Sequence, residues 1–262
     1  MGGFCYTILM TFSWAGRMRF MIIGGISLVL IVLISVTAFA FMYRVPSCAD
    51  QKQNQDEQGI DCGGSCSYLC TAQVAPPLEV FTRALTLPGG RTDVIAYIQN
   101  SNKTAEAKAA PYTLELYSAD ALVLGRIQGT VDLPAGSLVP IYVRAATQGA
   151  VVARALISFS PENVHWRNPK KTHELPRVTE SALSEGGTPR ITARLVNEGF
   201  EPLYGVRAIA VVYDASGTAI AASETLVPAI SAQSSAPLTF TWNEPFSAPV
   251  SRFEIMPVVP LP

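Results

Sequence analysis

Asp93-Val-Ile-Ala-Tyr-Ile-Gln-Asn100 and Arg190-Ile-Thr-Ala-Arg-Leu-Val-Asn197 stand 97 residues apart and read alike. In each, a run suited to a pleated strand ends in asparagine. Ile191, Ala193 and Leu195 fall on one face of such a strand and Thr192, Arg194 and Val196 on the other, so the first face is the candidate core. Farther along, Leu114-Glu-Leu-Tyr-Ser-Ala-Asp120 aligns with Ala210-Val-Val-Tyr-Asp-Ala-Ser216 at an offset of 96 residues, Thr130 matches Thr225, and Leu133 matches Ile230. Two copies of one fold account for this economically. Beyond Ala75-Pro-Pro77, short hydrophobic runs alternate with Gly, Pro, Asn and Asp punctuation, with no convincing amphipathic helix between them. That pattern predicts antiparallel β-sandwiches, with strands at Val94–Ile98, Tyr112–Tyr117, Ile191–Val196 and Ala208–Tyr213.

The turns that close these units differ in one informative way. Asp214-Ala-Ser-Gly217 reads as a hairpin turn, with Asp accepting from nearby amides and Gly supplying the positive φ. Its counterpart Ser118-Ala-Asp-Ala121 lacks the glycine, which predicts a less tightly specified first hairpin.

Ahead of the repeats the chain changes character. Of its 262 residues 49% are hydrophobic and only 15% charged, against roughly 25% charged in an average soluble domain. The excess is explained by Phe20–Tyr43, FMIIGGISLVLIVLISVTAFAFMY, which carries no charge and makes a helix of about 36 Å, enough to span a bilayer with some tilt. A cleaved signal peptide is the competing reading, because Ala38-Phe-Ala40 has the form of a cleavage site, but the apolar run exceeds the roughly 7–15 residues of a signal core. Residues 1–19 form a short cytoplasmic tail in this reading, 20–43 the transmembrane helix. Charge alone orients the span poorly, since Arg17 and Arg19 on one side meet Arg44 and Lys52 on the other.

The cysteines orient it. Cys48, Cys62, Cys66 and Cys70 cluster just past the span, and the chain from Thr71 to Pro262 has none. Such a cluster suits two disulfides in an oxidising compartment, which places the larger part of the chain outside the cell or in the periplasm. Three pairings are open. Zinc is the rival, weakened by the long loop back to Cys48 and the lack of a histidine nearby.

From Cys48 to Cys66 the sequence fits C-x-D-x-x-x-N-x-x-E-x-G-x-D-C-G-G-x-C at every fixed position, and so resembles a short module of bacterial envelope proteins that often sits just outside a membrane anchor. The resemblance implies an extracytoplasmic location and no activity. Within this module, residues 46–72, Asp50, Asn54, Asp56, Glu57 and Asp61 offer hard oxygens that could hold Ca²⁺, with glycines to turn the loop; the spacing is not that of an EF-hand. The alternative is that these side chains cap turns by bonding local backbone.

At Leu114-Glu-Leu-Tyr-Ser118 and Ala210-Val-Val-Tyr-Asp214 the repeats resemble FxLYD-type, late-embryogenesis-like domains related to immunoglobulin folds, the second keeping only the Tyr-Asp ending. This implies a mainly β protein with two tandem antiparallel Ig-like β-sandwiches, at 76–160 and 179–262, separated by an interdomain linker at 161–178.

The linker holds the remaining candidates. Trp166 with Arg167, Lys170 and Lys171 would make an aromatic and cationic patch for a partner such as an acidic glycan or lipid head group; the blander reading has Trp166 plugging the seam between the sandwiches. Trp242 reads as core. Asn102-Lys-Thr104 fits an N-glycosylation sequon. The two histidines, His165 and His173, match no metal-ligand spacing, no nucleophile motif is present, and a formal charge of -1 offers no footprint for nucleic acid. The expectation is therefore no catalysis and no cofactor, and a single-pass, membrane-anchored binding or structural protein, N-terminus inside, whose partner is an extracytoplasmic protein or envelope polymer. An accessory subunit of an envelope or secretion complex is the alternative.

Overall fold

Among the residues described by the computed structural model, 14–42, 47–87, 90–171 and 174–262, one α-helix precedes thirteen strands. The chain divides into two units, Met1–Asp50 and Gln51–Pro262.

In the first unit, α1 spans Trp14–Met42, and none of its residues is buried. It starts before the expected span, so that Arg17 and Arg19 lie within its first turns; Tyr43 and Arg44 are outside the described residues. Its polar interruptions are absorbed locally, as at Thr37, whose hydroxyl donates to the carbonyls of Leu33 and Ile34. It is long and apolar enough to cross a membrane, a property that anchors and signal sequences share.

The second unit is mainly β and repeats one six-strand plan. In the first copy, β1 (Leu78–Thr86), β2 (Arg91–Gln99) and β5 (Leu138–Gln148) form a sheet in the order β1-β2-β5, facing a sheet β4-β3-β6 built from β3 (Glu106–Tyr117), β4 (Val123–Leu133) and β6 (Arg154–Phe159). In the second, β8 (Arg177–Ser184), β9 (Arg190–Asn197) and β12 (Ser234–Thr241) form β8-β9-β12, facing β11-β10-β13 from β10 (Leu203–Tyr213), β11 (Ala219–Ile230) and β13 (Arg252–Val258). Every pairing is antiparallel, and the strand order is the same in both. The sequence repeat is thus a structural one. The linker is shorter than expected, because β7 (Trp166–Arg167) pairs with β3 and belongs to the first copy, while β8 already begins at Arg177.

The asparagine that ends each repeated strand explains part of the likeness. Asn100 is fully buried, and its amide donates to the carbonyls of Ala105, Leu133 and Pro134 while its oxygen accepts the Asn102 N–H. Asn197, 2% exposed, donates to Glu201, Ile230 and Ser231 and accepts the Gly199 N–H. One carboxamide therefore ties the end of the second strand of each copy to the turn that follows it and to the end of the fourth strand. The same repetition holds at the other end, where Arg154 lies 5.4 Å from the Tyr117 ring and Arg252 lies 3.8 Å from that of Tyr213.

Both hairpins after these tyrosines also close alike. Gly217 (φ 78) donates to Asp214, and Ala121 (φ 59) donates to Ser118, so alanine adopts the left-handed conformation that glycine takes in the second copy. The first hairpin has the same closure as the second and bears the cost as strain at Ala121.

Side-chain parity sorts the interior into three clusters. Val94, Ala96 and Ile98 of β2 point into the first sandwich with Leu114 and Leu116; Ile191, Ala193 and Leu195, on the face that the alternation predicted, fill the second with Val206, Leu238 and Phe240. The third cluster joins the copies: Ile95, Tyr97 and Leu85 pack against Ile209, Val211, Tyr213 and Val258. The Tyr97 and Tyr213 hydroxyls share a 2.7 Å hydrogen bond across this face.

Two substitutions test these features. Asn100→Ala or Asn197→Ala strands several buried carbonyls and is expected to lower stability by about 2–3 kcal/mol in urea unfolding. Ala121→Gly removes left-handed strain at a smaller entropic cost, and should raise stability by about 0.5–1 kcal/mol in the same measurement.

Candidate functional site

The cysteine module is closed by a Cys62–Cys70 disulfide, and Cys48 and Cys66 are also disulfide-bonded, as the compartment argument required. Its glycines serve close approach. A Cβ on Gly59 would sit 2.8 Å from Cys62 Sγ and 3.0 Å from Cys70 Sγ, and Gly64, at φ 59, lies against the Asp56 carbonyl.

The candidate calcium ligands have other partners. Asp50 accepts the Ser47 N–H; Asp56 accepts the Ser65 hydroxyl, which holds its carboxyl below the usual range; Glu57 accepts the Asn54 N–H; Asp61 takes the Gln51 N–H at 2.9 Å; the Asn54 amide donates to Lys52. Among the described residues, Asp56, Glu57 and Asp61 do not bring their oxygens within 4.8 Å of one another. Asp50 and Glu57 thus cap local turns, while Asp56 and Asp61 tie separate parts of the loop together.

The aromatic and cationic patch is not assembled on the surface. Trp166 is 2% exposed and packs in the first sandwich core, where the β7–β3 pairing holds it, and its carbonyl accepts the Leu69 N–H. It plugs neither a partner site nor the seam between the copies. It fixes the cysteine module to the first sandwich. Arg167 is drawn inward by the buried Glu106 carboxylate at 2.9 Å, Lys171 pairs with Glu201, and Lys170 is exposed. His165 lies against the Tyr68 ring, and His173 is outside the described residues. At the sequon, the Asn102 amide is committed to the Ala75 carbonyl and Asn100 Oδ1, and an attached glycan, which replaces one of the two amide hydrogens, would cost one of these bonds.

The cavity that sequence reasoning missed lies between the sandwiches. It encloses about 620 Å³. The first copy contributes Arg91, Tyr142 and Arg144; the second contributes Ser223, Thr239, Thr241, Trp242 and Phe246, with Glu224 and Glu244 among the acidic groups. Trp242 is largely buried, as expected, donating Nε1–H to Ala222 and meeting the edge of Phe246.

Its first wall is organised by one buried charge. Asp93, 1% exposed, accepts from Arg91 Nε at 3.1 Å, from the Tyr142 hydroxyl at 2.6 Å and from the Ala145 N–H at 2.8 Å. The pairing register shifts here, with Asp93 alone set against Arg144, Ala145 and Ala146 of β5 and Ala145 at φ 50. Such bulges redirect side chains. A signal existed, since a carboxylate inside an otherwise apolar strand needs donors, but those donors come from β5 and nothing local names them.

Comparison with known proteins adds little. No protein-family model and no curated protein matches the chain. Among solved structures, red sea bream transglutaminase is similar at 14% identity over 71% of this chain and 31% of that one, with a TM-score of 0.23; the chain spans about a third of that protein's length.

The tyrosines around the joined face titrate late. Burial, and then the Tyr213 hydrogen bond, raises Tyr97 above its usual 10.0; burial and the Asp93 hydrogen bond raise Tyr142; burial raises Tyr213. Above pH 10 the unfolded chain would release protons that the folded one keeps, so stability falls as pH rises past that value. Urea midpoints measured from pH 8 to 11 should drop above pH 10, and the drop should be smaller in Tyr97→Phe.

Proposed function

We propose that the chain is a single-pass membrane protein, N-terminus cytoplasmic, whose Gln51–Pro262 unit stands on the extracytoplasmic side as a binding or structural protein for a partner protein or envelope polymer. The observation that carries this reading is the disulfide-bonded module directly following an apolar helix with no buried residue. Disulfides persist outside the reducing cytosol. An uncovered apolar helix is at home in lipid.

The second unit suits presentation. The joined sandwiches bury Ile95 and Val211 fully, and Leu69 of the cysteine module and Val74 just beyond it pack against the first core, so the sandwiches and the adjoining segment are held by shared packing. Binding then draws on surfaces and clefts that need no reordering, which lowers the entropic cost of association.

Labelling of intact cells with a membrane-impermeant maleimide tests location and redox state together. Cys48, Cys62, Cys66 and Cys70 should label only after reduction, and Cys5 only after permeabilisation. Reaction of the four without reductant, or only in permeabilised cells, would overturn the reading.

A further inference from the structure

We infer that the cleft between the sandwiches is a binding site for a carboxylate-bearing oligosaccharide, with Arg144 as the group that receives the carboxylate. This rests on the reading of the chain as an extracytoplasmic binding protein and assigns that binding to one site.

The internal repeat supplies the argument. The second copy builds the same sheet without the device at Asp93: β9 pairs with β12 in unbroken register, and Arg190 stands where the first copy has Asp93. The fold therefore does not need the buried carboxylate, the bulge or the residues they position. In the first copy the residues they position, Arg91, Tyr142 and Arg144, line the cleft. Asp93 holds Arg91 and Tyr142 in place and fixes the bulge through Ala145, and the bulge presents the exposed Arg144 at the cavity wall. Arg91 is neutralised by Asp93. Arg144 has no carboxylate within salt-bridge distance among the described residues, so it retains its charge for a ligand.

The opposite wall indicates what that ligand is. Ser223, Thr239, Thr241 and Asn243 supply hydroxyls and an amide, Phe246 an apolar edge, and of the two carboxylates on this wall Glu224 is paired with Arg207 while Glu244 faces the cleft as a hydrogen-bond acceptor for sugar hydroxyls. Hydroxyl-rich, aromatic-edged surfaces beside a guanidinium match sugars that carry both hydroxyls and a carboxylate. An extended peptide fits less well. Strand addition needs a straight free edge, whereas β5 is bulged here and β11 and β12 contain Pro228 and Pro237.

The test uses the full chain in detergent, with oligogalacturonate and N-acetylmuramyl oligosaccharides as probes, each beside its carboxyl-reduced counterpart, followed by calorimetry and by Trp fluorescence. An acidic probe should bind saturably and its reduced counterpart at least about tenfold more weakly, the worth of one charge-assisted hydrogen bond. Arg144→Gln should weaken binding to a similar degree at unchanged melting temperature, and Thr241→Trp, which fills the cavity from the other wall, should abolish it. No binding by any acidic probe, equal binding of reduced counterparts, undiminished binding in Arg144→Gln, or displacement by an extended peptide but not by sugar would each overturn the inference. Capture of a partner protein by a chain that ignores all these sugars would remove this site while leaving the anchored binding protein in place.

Discussion

A carboxamide shut away from water must find all its partners within the protein, and Asn100 and Asn197 are each in that position. Each amide satisfies carbonyls from two connections that would otherwise end unpaired inside a β-sandwich. Because buried polar groups are costly when unsatisfied, the end of the second strand, the turn after it and the exit from the fourth strand are constrained together. That constraint fixes how each copy closes, and with it which faces are left to meet a neighbour.

The joining of the copies is asymmetric. The first sandwich uses its β1-β2-β5 face and the second its β11-β10-β13 face. The equivalent faces at the two outer ends carry ion pairs. Glu115, Arg126 and Tyr117 form a hydrogen-bonded network on β3 and β4, and Arg194 pairs with Glu180 on β9 and β8. Where the second copy places Val211 in the joined face, the first has Glu115. Charged outer faces of this kind are the capping device of repeat proteins, keeping a stack from continuing by the same contact. Exposed ion pairs of this sort add little stability, so their consequence is specificity of assembly.

The joined face also explains why the cleft lies where it does. Two twisted sheets packed over a central apolar patch diverge toward their margins, and here one margin is lined by the Asp93 bulge and the Trp242 loop. The apolar contacts of Ile95 and Val211 thus set the spacing of the polar walls. Cavity and scaffold share one interface.

Much of this architecture was legible in the chain itself. The uncharged run gave the helix, strand parity gave the core face of β9, the two Asn-terminated segments gave the repeat, and the cysteine cluster gave disulfides, because each is encoded by residues near in sequence and by periods that backbone geometry imposes. Other features depended on distant partners. β2 is apolar on both faces, so its alternation could not say that Ile95 and Tyr97 meet another sandwich. Trp166 had the composition of a surface patch, but pairing with β3 took it into the core, and the choice of Cys70 as partner of Cys62 required the loop's path. Asp93 acquired Tyr142 and Ala145 only when β5 came alongside. Sequence determined which groups must be buried and which paired; the tertiary fold decided with whom, because burial is a property of a segment whereas a contact belongs to two segments brought together.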